Sequence, residues 1–150
     1  MIQLTTKRID SETLVQQAQS PASGAVLLFL GVTRQHTAGR ETTELRYEAY
    51  HEMAERELEL LETEARQRWQ IDECFIVHRV GKVPLGEASV AIVVASPHRR
   101  AAFAAGEWLI DTLKSRVPIW KEEHWADGSS SWIHPEPAKK LSPDAAAANQ

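Results

Sequence analysis

Two lysines seven residues apart, Lys114 and Lys121, and a cationic triplet, His98, Arg99 and Arg100, are the side chains whose type and spacing could do chemistry in this chain. The triplet follows Ser96 and Pro97, a pattern that predicts an N-cap and a first helical position. It then falls in a first turn, where free backbone N–H groups and the positive dipole end also attract anions. The arrangement suits a phosphate, although arginines oppose the dipole there and could instead pair with carboxylates elsewhere. Between the lysines, Pro118 ends the helix and lets the chain turn, so that the two ammonium groups could converge. Beside Val117, Ile119 and Trp120 they would depress each other's pKa, leaving one able to act as acid or base near neutrality while the other stays charged. Taken alone, the spacing also fits two solvated surface lysines. Sixteen residues separate His98 from Lys114, about 24 Å along one helix, too far for one small ligand to touch both ends. If both ends serve one site, the His98–Arg99 end comes from a second copy of the chain, as in a symmetric homodimer with shared sites.

The elements that must position these groups follow from the apolar periodicity. A strand at Ile2–Thr6 and a helix at Ser11–Gln19 precede a break at Pro21, Ser23 and Gly24. Gly24–Thr33 is a continuous apolar run of the kind found in a strand buried on both faces, which places it centrally in a sheet. Polar Arg34–Thr42 reads as a mobile loop, and Glu44–Ala49 alternates as a strand. From His51 to Trp69, Ala54, Leu58, Leu61 and Ala65 form one apolar stripe on a Glu- and Arg-rich helix. Glu73–Val80 and Ala88–Ala95 are strands, joined through GKVPLGE as antiparallel neighbours. A helix opens at Ser96–Pro97 and runs to about Arg116, followed by short strands. The last residues, 138–150, are a low-complexity tail.

At 150 residues, with 43% hydrophobic and 25% charged content, the chain suits one globular domain. No apolar run approaches the roughly 20 residues of a membrane span, which predicts a soluble, cytoplasmic protein without membrane contact. The net charge of −4 argues against a nucleic-acid binder. Any anion site is therefore local, and the basic residues gather in 98–121. Cys74, the one cysteine, lies in an apolar run and reads as a buried structural thiol. His51-Glu52 lacks the second histidine of a zinc-protease helix, since Glu55 stands there, and the other histidines have no metal-ligand spacing. Gly81-Lys82 lacks both the earlier glycine and the following hydroxyl of a P-loop. Neither a metal nor a cofactor is expected. Two other readings of the basic cluster remain open: a non-catalytic module for a phosphorylated metabolite or a partner's C-terminal tail, and a phosphate-ester hydrolase.

Several segments in order carry a resemblance: Gly31-Val-Thr-Arg34 with Gly39-Arg40; Leu45-x-Tyr47-Glu48-x-Tyr50-x-x-Met53; His78-Arg79-x-Gly81; and Ser96-Pro-His98-Arg99. Ala104-Ala-Gly-Glu-Trp108, Leu113-Lys114-x-Arg116-x-Pro118-x-Trp120-Lys121 and Glu123 continue it. Together they resemble the catalytic subunit of molybdopterin synthase, the MoaE family, over about residues 1–137. The resemblance implies an α+β fold, an α/β-hammerhead with mostly antiparallel sheet in a single domain, and a central homodimer. It also implies a small ubiquitin-like subunit at each end, whose C-terminal Gly-Gly thiocarboxylate donates sulfur to cyclic pyranopterin monophosphate. Carried over by position, Lys114 and Lys121 match the family's catalytic lysines. Arg34, Arg40, Phe29, His98 and Arg99 match its substrate-binding positions. Glu122 stands where the family usually has a second basic residue, and the tail beyond Pro137 carries no family signature.

Overall fold

A computed structural model describes residues 1–133, so the tail at 138–150, and the boundary drawn for it at 137, lie outside the described residues. The chain runs β1 (Ile2–Thr5), α1 (Ser11–Ala18), β2 (Ala25–Val32), β3 (His36–Thr37), β4 (Arg40–Ala49), α2 (His51–Arg68) and β5 (Glu73–Arg79). It continues through β6 (Gly81–Pro84), β7 (Ala88–Ser96), α3 (Arg99–Arg116), β8 (Ile119–Trp125) and β9 (Ser130–Ile133). One sheet has the order β1-β5-β7-β2, with only β1 and β5 parallel. The other has the order β3-β4-β8-β9, with β6 also pairing β4.

The continuous apolar sequences of β5 and β7 are explained by cover on both faces of the first sheet. On one side lie α2 and α3, whose Leu58, Leu61 and Leu109 meet Ile76, Ile92 and Val94. On the other lies α1, with Leu14 and Ala18 against Phe75, Val77 and Val93. All four stripe residues of α2 are fully buried, as the periodicity predicts. Helix α3 settles closely on β2 at Gly106, where a Cβ would lie 2.2 Å from Leu27 Cδ2.

Four sequence expectations need correction. Among the described residues strand β2 is an edge strand, and Leu28 and Val32 are 36% and 49% exposed. An unbroken apolar run marks a strand whose side chains need cover, but it does not say whether this chain or another supplies the cover; β7 is the central strand instead. The 34–42 segment is no mobile loop, because β3 and the start of β4 close a hairpin there, with Ala38 and Gly39 at positive φ. The 81–87 connection contains β6, which crosses to the second sheet. Finally, α3 starts at Arg99 with His98 as its N-cap, not at Ser96–Pro97. Ser96 ends β7, buried, its hydroxyl donating to Gln70 O at 2.8 Å and accepting from His98 N–H at 3.3 Å. A cap-like side chain was thus drawn into closing the strand.

The path of α3 matters most for function. It begins beside Gly24, where an added Cβ would be 2.4 Å from Pro97 O, passes Leu27 at Gly106, and ends with Val117 in the cluster that contains Val90. Its N-terminus therefore lies at the start of β2, and its C-terminus lies toward the end of β2 that leads to Arg34.

Candidate active site

The register of β4 on β8 puts Tyr47 opposite Lys121 and Leu45 opposite Glu123. Opposed residues share a face, so Lys121, Glu123, Tyr47 and Leu45 all project to one side of the second sheet. That side is the inner one: Leu45 and Glu123 are buried, whereas Arg46 and Glu48, on the alternate face, are exposed. Lys121 is thus a partly buried cation on an inward face. The Glu123 carboxylate, only 2% exposed, accepts a hydrogen bond from the Thr42 hydroxyl at 2.5 Å. The Glu123 carboxyl and the Lys121 side chain thus stand in one row, two residues apart on β8.

Lys114 stands exposed in the last turn of α3, whose carbonyl ends favour a cation. Arg116 in the same turn is held by two carboxylates of α2, Glu64 at 2.9 Å and Glu57 at 3.2 Å, which also raise its pKa. From Lys114 to Lys121 the chain makes three helical and four extended steps, which bounds their Cα separation to roughly 18 Å. Phe29 packs against the same cluster as α3, and Arg34 lies exposed just beyond β2, toward this end of the helix.

His98, Arg99 and Arg100 are exposed at the opposite end of α3, and His98 makes no side-chain cap bond. The single unbroken helix keeps them about 24 Å from Lys114. Arg40 is also set apart. It shares the face of Lys121 but lies over Trp125, 4.0 Å from the ring centroid, and pairs with Asp127 at 3.2 Å. Trp125 is four strand residues from Lys121, about 13 Å. A shallow pocket lined by Arg40, Glu41, Trp125 and Asp127 sits there.

Behind Tyr47 lies a buried imidazole, to which the sequence reading assigns no role beyond its place in the resemblance. His78 is 4% exposed, edge-on to Tyr47 with ring centroids 5.0 Å apart. Its Nδ1 is 2.9 Å from Arg79 O, and because a carbonyl only accepts, Nδ1 carries the proton. Burial lowers the pKa of His78 to about 4. The unfolded chain, with its imidazole near 6.5, takes up the proton first as pH falls. Stability from this group is therefore complete above about pH 6.5 and declines toward pH 4, by about 3 kcal/mol over that window. Urea unfolding of wild type and His78→Gln at pH 7 and pH 4.5 checks this: the variant should lose markedly less stability between the two, and parallel losses would refute the assignment. Burial likewise drives the Cys74 thiol up to about 12, so it is a structural thiol, as expected. Among the described residues no His, Cys, Asp and Glu group could hold a metal ion, and no helix is long and apolar enough to cross a membrane.

A model of the MoaE protein family matches residues 4–116, three quarters of the chain. The chain belongs to the MoaE family. It is 42% identical over 132 residues to the molybdopterin synthase catalytic subunit of Bos taurus, covering 88% of this chain and 70% of the bovine protein. It is 40% identical over 131 residues to that of Bacillus subtilis, covering 87% of this chain and 83% of the relative. The crystal structure of molybdopterin synthase from Staphylococcus aureus superposes with a TM-score of 0.82 at 38% identity, over 87% of this chain and 94% of that one. The expected MoaE fold, α+β with mostly antiparallel sheet, is the fold observed. The family match ends at Arg116, so Lys121 and Glu123 are tied to the MoaE pattern by the longer pairwise similarities and by their place on β8.

Proposed function

We propose that this chain is the catalytic subunit of a molybdopterin synthase, a sulfurtransferase. It moves sulfur from the thiocarboxylated C-terminus of a small ubiquitin-like subunit to cyclic pyranopterin monophosphate, forming the dithiolene of molybdopterin in two successive transfers. The observation that carries the reading is Lys121: a lysine on the inner face of a sheet, in one row with a buried carboxylate. Lys121 handles proton transfer as the cyclic phosphate opens. Lys114, exposed at the end of α3, holds the incoming thiocarboxylate and the charge that develops on its acyl carbon. Phe29 and Arg34 line the substrate's side of the site, with Arg40 further along the sheet.

The substrate phosphate is gripped by His98 and Arg99 of a second copy of the chain, in a homodimer that carries one small subunit at each end. Two observations support this. The helix separates these residues from Lys114 by about 24 Å within one chain. The edge strand β2 leaves Leu28 and Val32 exposed, apolar side chains that suit a protein partner. The synthase works in the cytoplasm, in keeping with a buried thiol and the lack of a membrane-spanning helix among the described residues.

The direct test mixes the purified chain with thiocarboxylated small subunit and cyclic pyranopterin monophosphate, and follows the dithiolene pterin by fluorescence after oxidation. Product dependent on all three components is expected. Tight binding of substrate without product would instead make the protein a recognition module.

A further inference from the structure

Arg34 is placed by its backbone, since its side chain makes no hydrogen bond or ion pair among the described residues. Before it, Thr33 is pinned to the turn between β6 and β7: its N–H donates to Glu87 O at 3.0 Å, and its carbonyl accepts from Gly86 N–H at 2.9 Å. After it, Gln35 O accepts from Thr42 N–H at 2.7 Å, at the mouth of the β3–β4 hairpin. That hairpin is too small to hold itself. Its first strand has two residues, His36 and Thr37, and its turn puts Ala38 at φ 49°, a left-handed conformation that a side chain disfavours. Ahead of Thr42, where the pairing of β4 with β8 ends, the hairpin is held instead by the turn between β8 and β9. Ala126 N–H donates to Glu41 O at 3.0 Å, and Arg40 closes the junction. Its guanidinium lies 4.0 Å over the Trp125 ring and donates to Asp127 Oδ2 at 3.2 Å and to Ser129 Oγ at 3.1 Å. Trp125 is a fixed platform, 6% exposed, with its indole N–H donating to Ser131 Oγ at 3.0 Å. Asp127 accepts from the Ser129 hydroxyl and N–H, which hold its carboxyl below the usual carboxylate range, so the pair with Arg40 stays charged at neutral pH. Stacking and donating at once requires a planar cation with several N–H groups, which arginine is and lysine is not.

We propose that Arg40 is a positioning residue and not a ligand of the substrate: stacked on Trp125 and paired with Asp127, it clasps the β3–β4 hairpin to the β8–β9 turn and so fixes the chain on the far side of Arg34. With Thr33 pinned before it and the hairpin pinned after it, Arg34 is presented from one place at the substrate's side of the site. The inference rests on the sulfur-transfer reading for its enzymatic consequence and deepens it, because it assigns Arg40 to the support of Arg34. Opening the clasp leaves Arg34 present but no longer held. The loss therefore falls on binding of the anionic substrate and not on the proton transfer at Lys121.

Two measurements test the clasp in wild type, Arg40→Ala, Arg40→Lys and Asp127→Ala: amide hydrogen exchange of residues 35–42 in the free protein, and kcat and KM for the cyclic substrate with thiocarboxylated small subunit. Exchange across the hairpin should quicken about fivefold in all three variants. KM should rise by a similar factor, about fivefold, with kcat within about twofold of wild type. Lysine at position 40 should rescue neither readout, since it keeps the charge and loses the stacked fork. Asp127→Ala discriminates best, because it frees the guanidinium: an Arg40 that bound substrate would then bind it as well or better, whereas an opened clasp raises KM. Adding Arg40→Ala to Arg34→Ala should cost nothing beyond Arg34→Ala alone, because the clasp acts through Arg34. Unchanged exchange in the variants, an unchanged or lower KM in Asp127→Ala, or losses that multiply in the Arg34 and Arg40 double variant would each overturn the proposal. If Arg40→Ala does not fold, Asp127→Ala, a change in an exposed turn, decides alone. Absence of product from wild type would strike the sulfur-transfer reading itself, while hydrogen exchange would still decide whether the clasp holds the hairpin.

Discussion

Replacing Lys121 by arginine should slow dithiolene formation by about 10²- to 10³-fold, as severely as replacing it by alanine. The two substitutions remove different things. Alanine takes away both the charge and the proton, whereas arginine keeps the charge, with a group that does not deprotonate in proteins. If Lys121 only neutralised an anion, arginine would restore much of the rate; if it must give up or receive a proton as the cyclic phosphate opens, arginine fails. Lys114 should behave in the opposite way, with Lys114→Ala strongly impaired and Lys114→Arg retaining about a tenth of wild-type activity or more, because a fixed positive charge at the end of α3 suffices to hold a thiocarboxylate. Single-turnover rates with preformed cyclic substrate and charged small subunit separate the cases. Near wild-type turnover by Lys121→Arg would end the proton-transfer assignment.

What could be read from sequence divides along the range of the interactions involved. The stripe on α2 is a local property of one helix, and its four residues are all at zero exposure. The unbroken helix that separates His98 from Lys114 is also local, and so the conclusion that one chain cannot bring these ends together follows from counting residues. Strand β2 was legible as an apolar strand but not as an edge, because edge or centre depends on partners far away in sequence: β7 pairs one side of it, and no described strand pairs the other. The hairpin at 34–42 was hidden for a related reason. Its polar residues satisfy β3–β4 pairing, and Arg40 packs on Trp125, eighty-five residues later.

The site shows the same division. Glu123 is named in the sequence only as part of the resemblance, and its place beside Lys121 follows from extending the alternation of β8, since residues two apart in a strand share a face. Tyr47 is present in the sequence reading only through the resemblance. Its place opposite Lys121 arises from the register of β4 on β8, which a pattern in one segment does not encode. The Ser96 miss has a different origin. Serine before proline is a good helix-start signal, but the buried end of β7 competed for the same hydroxyl and won through its contact with Gln70 O.

Mixing two inactive variants should recover activity, and this result tests the shared site most sharply. In a homodimer whose sites each take Lys121 from one chain and Arg99 from the other, Lys121→Ala removes the proton-transfer group and Arg99→Glu places a negative charge against the phosphate, so each homodimer is inactive. A mixed dimer has one site with both lesions and one site with neither. Random pairing of equal amounts makes half the dimers mixed, each with one intact site, so activity should return to roughly a quarter of wild type. The reciprocal mixture sharpens the distinction. A chain carrying both substitutions, paired randomly with wild type, leaves every mixed-dimer site with one lesion if sites are shared, and activity should fall to roughly a quarter. If each site belonged to one chain, the wild-type site of every mixed dimer would survive and roughly half would remain. The roughly 22 Å of helix between Arg99 and Lys114 makes the first outcome the expected one; no recovery in the first mixture together with half activity in the second would return the whole site to a single chain.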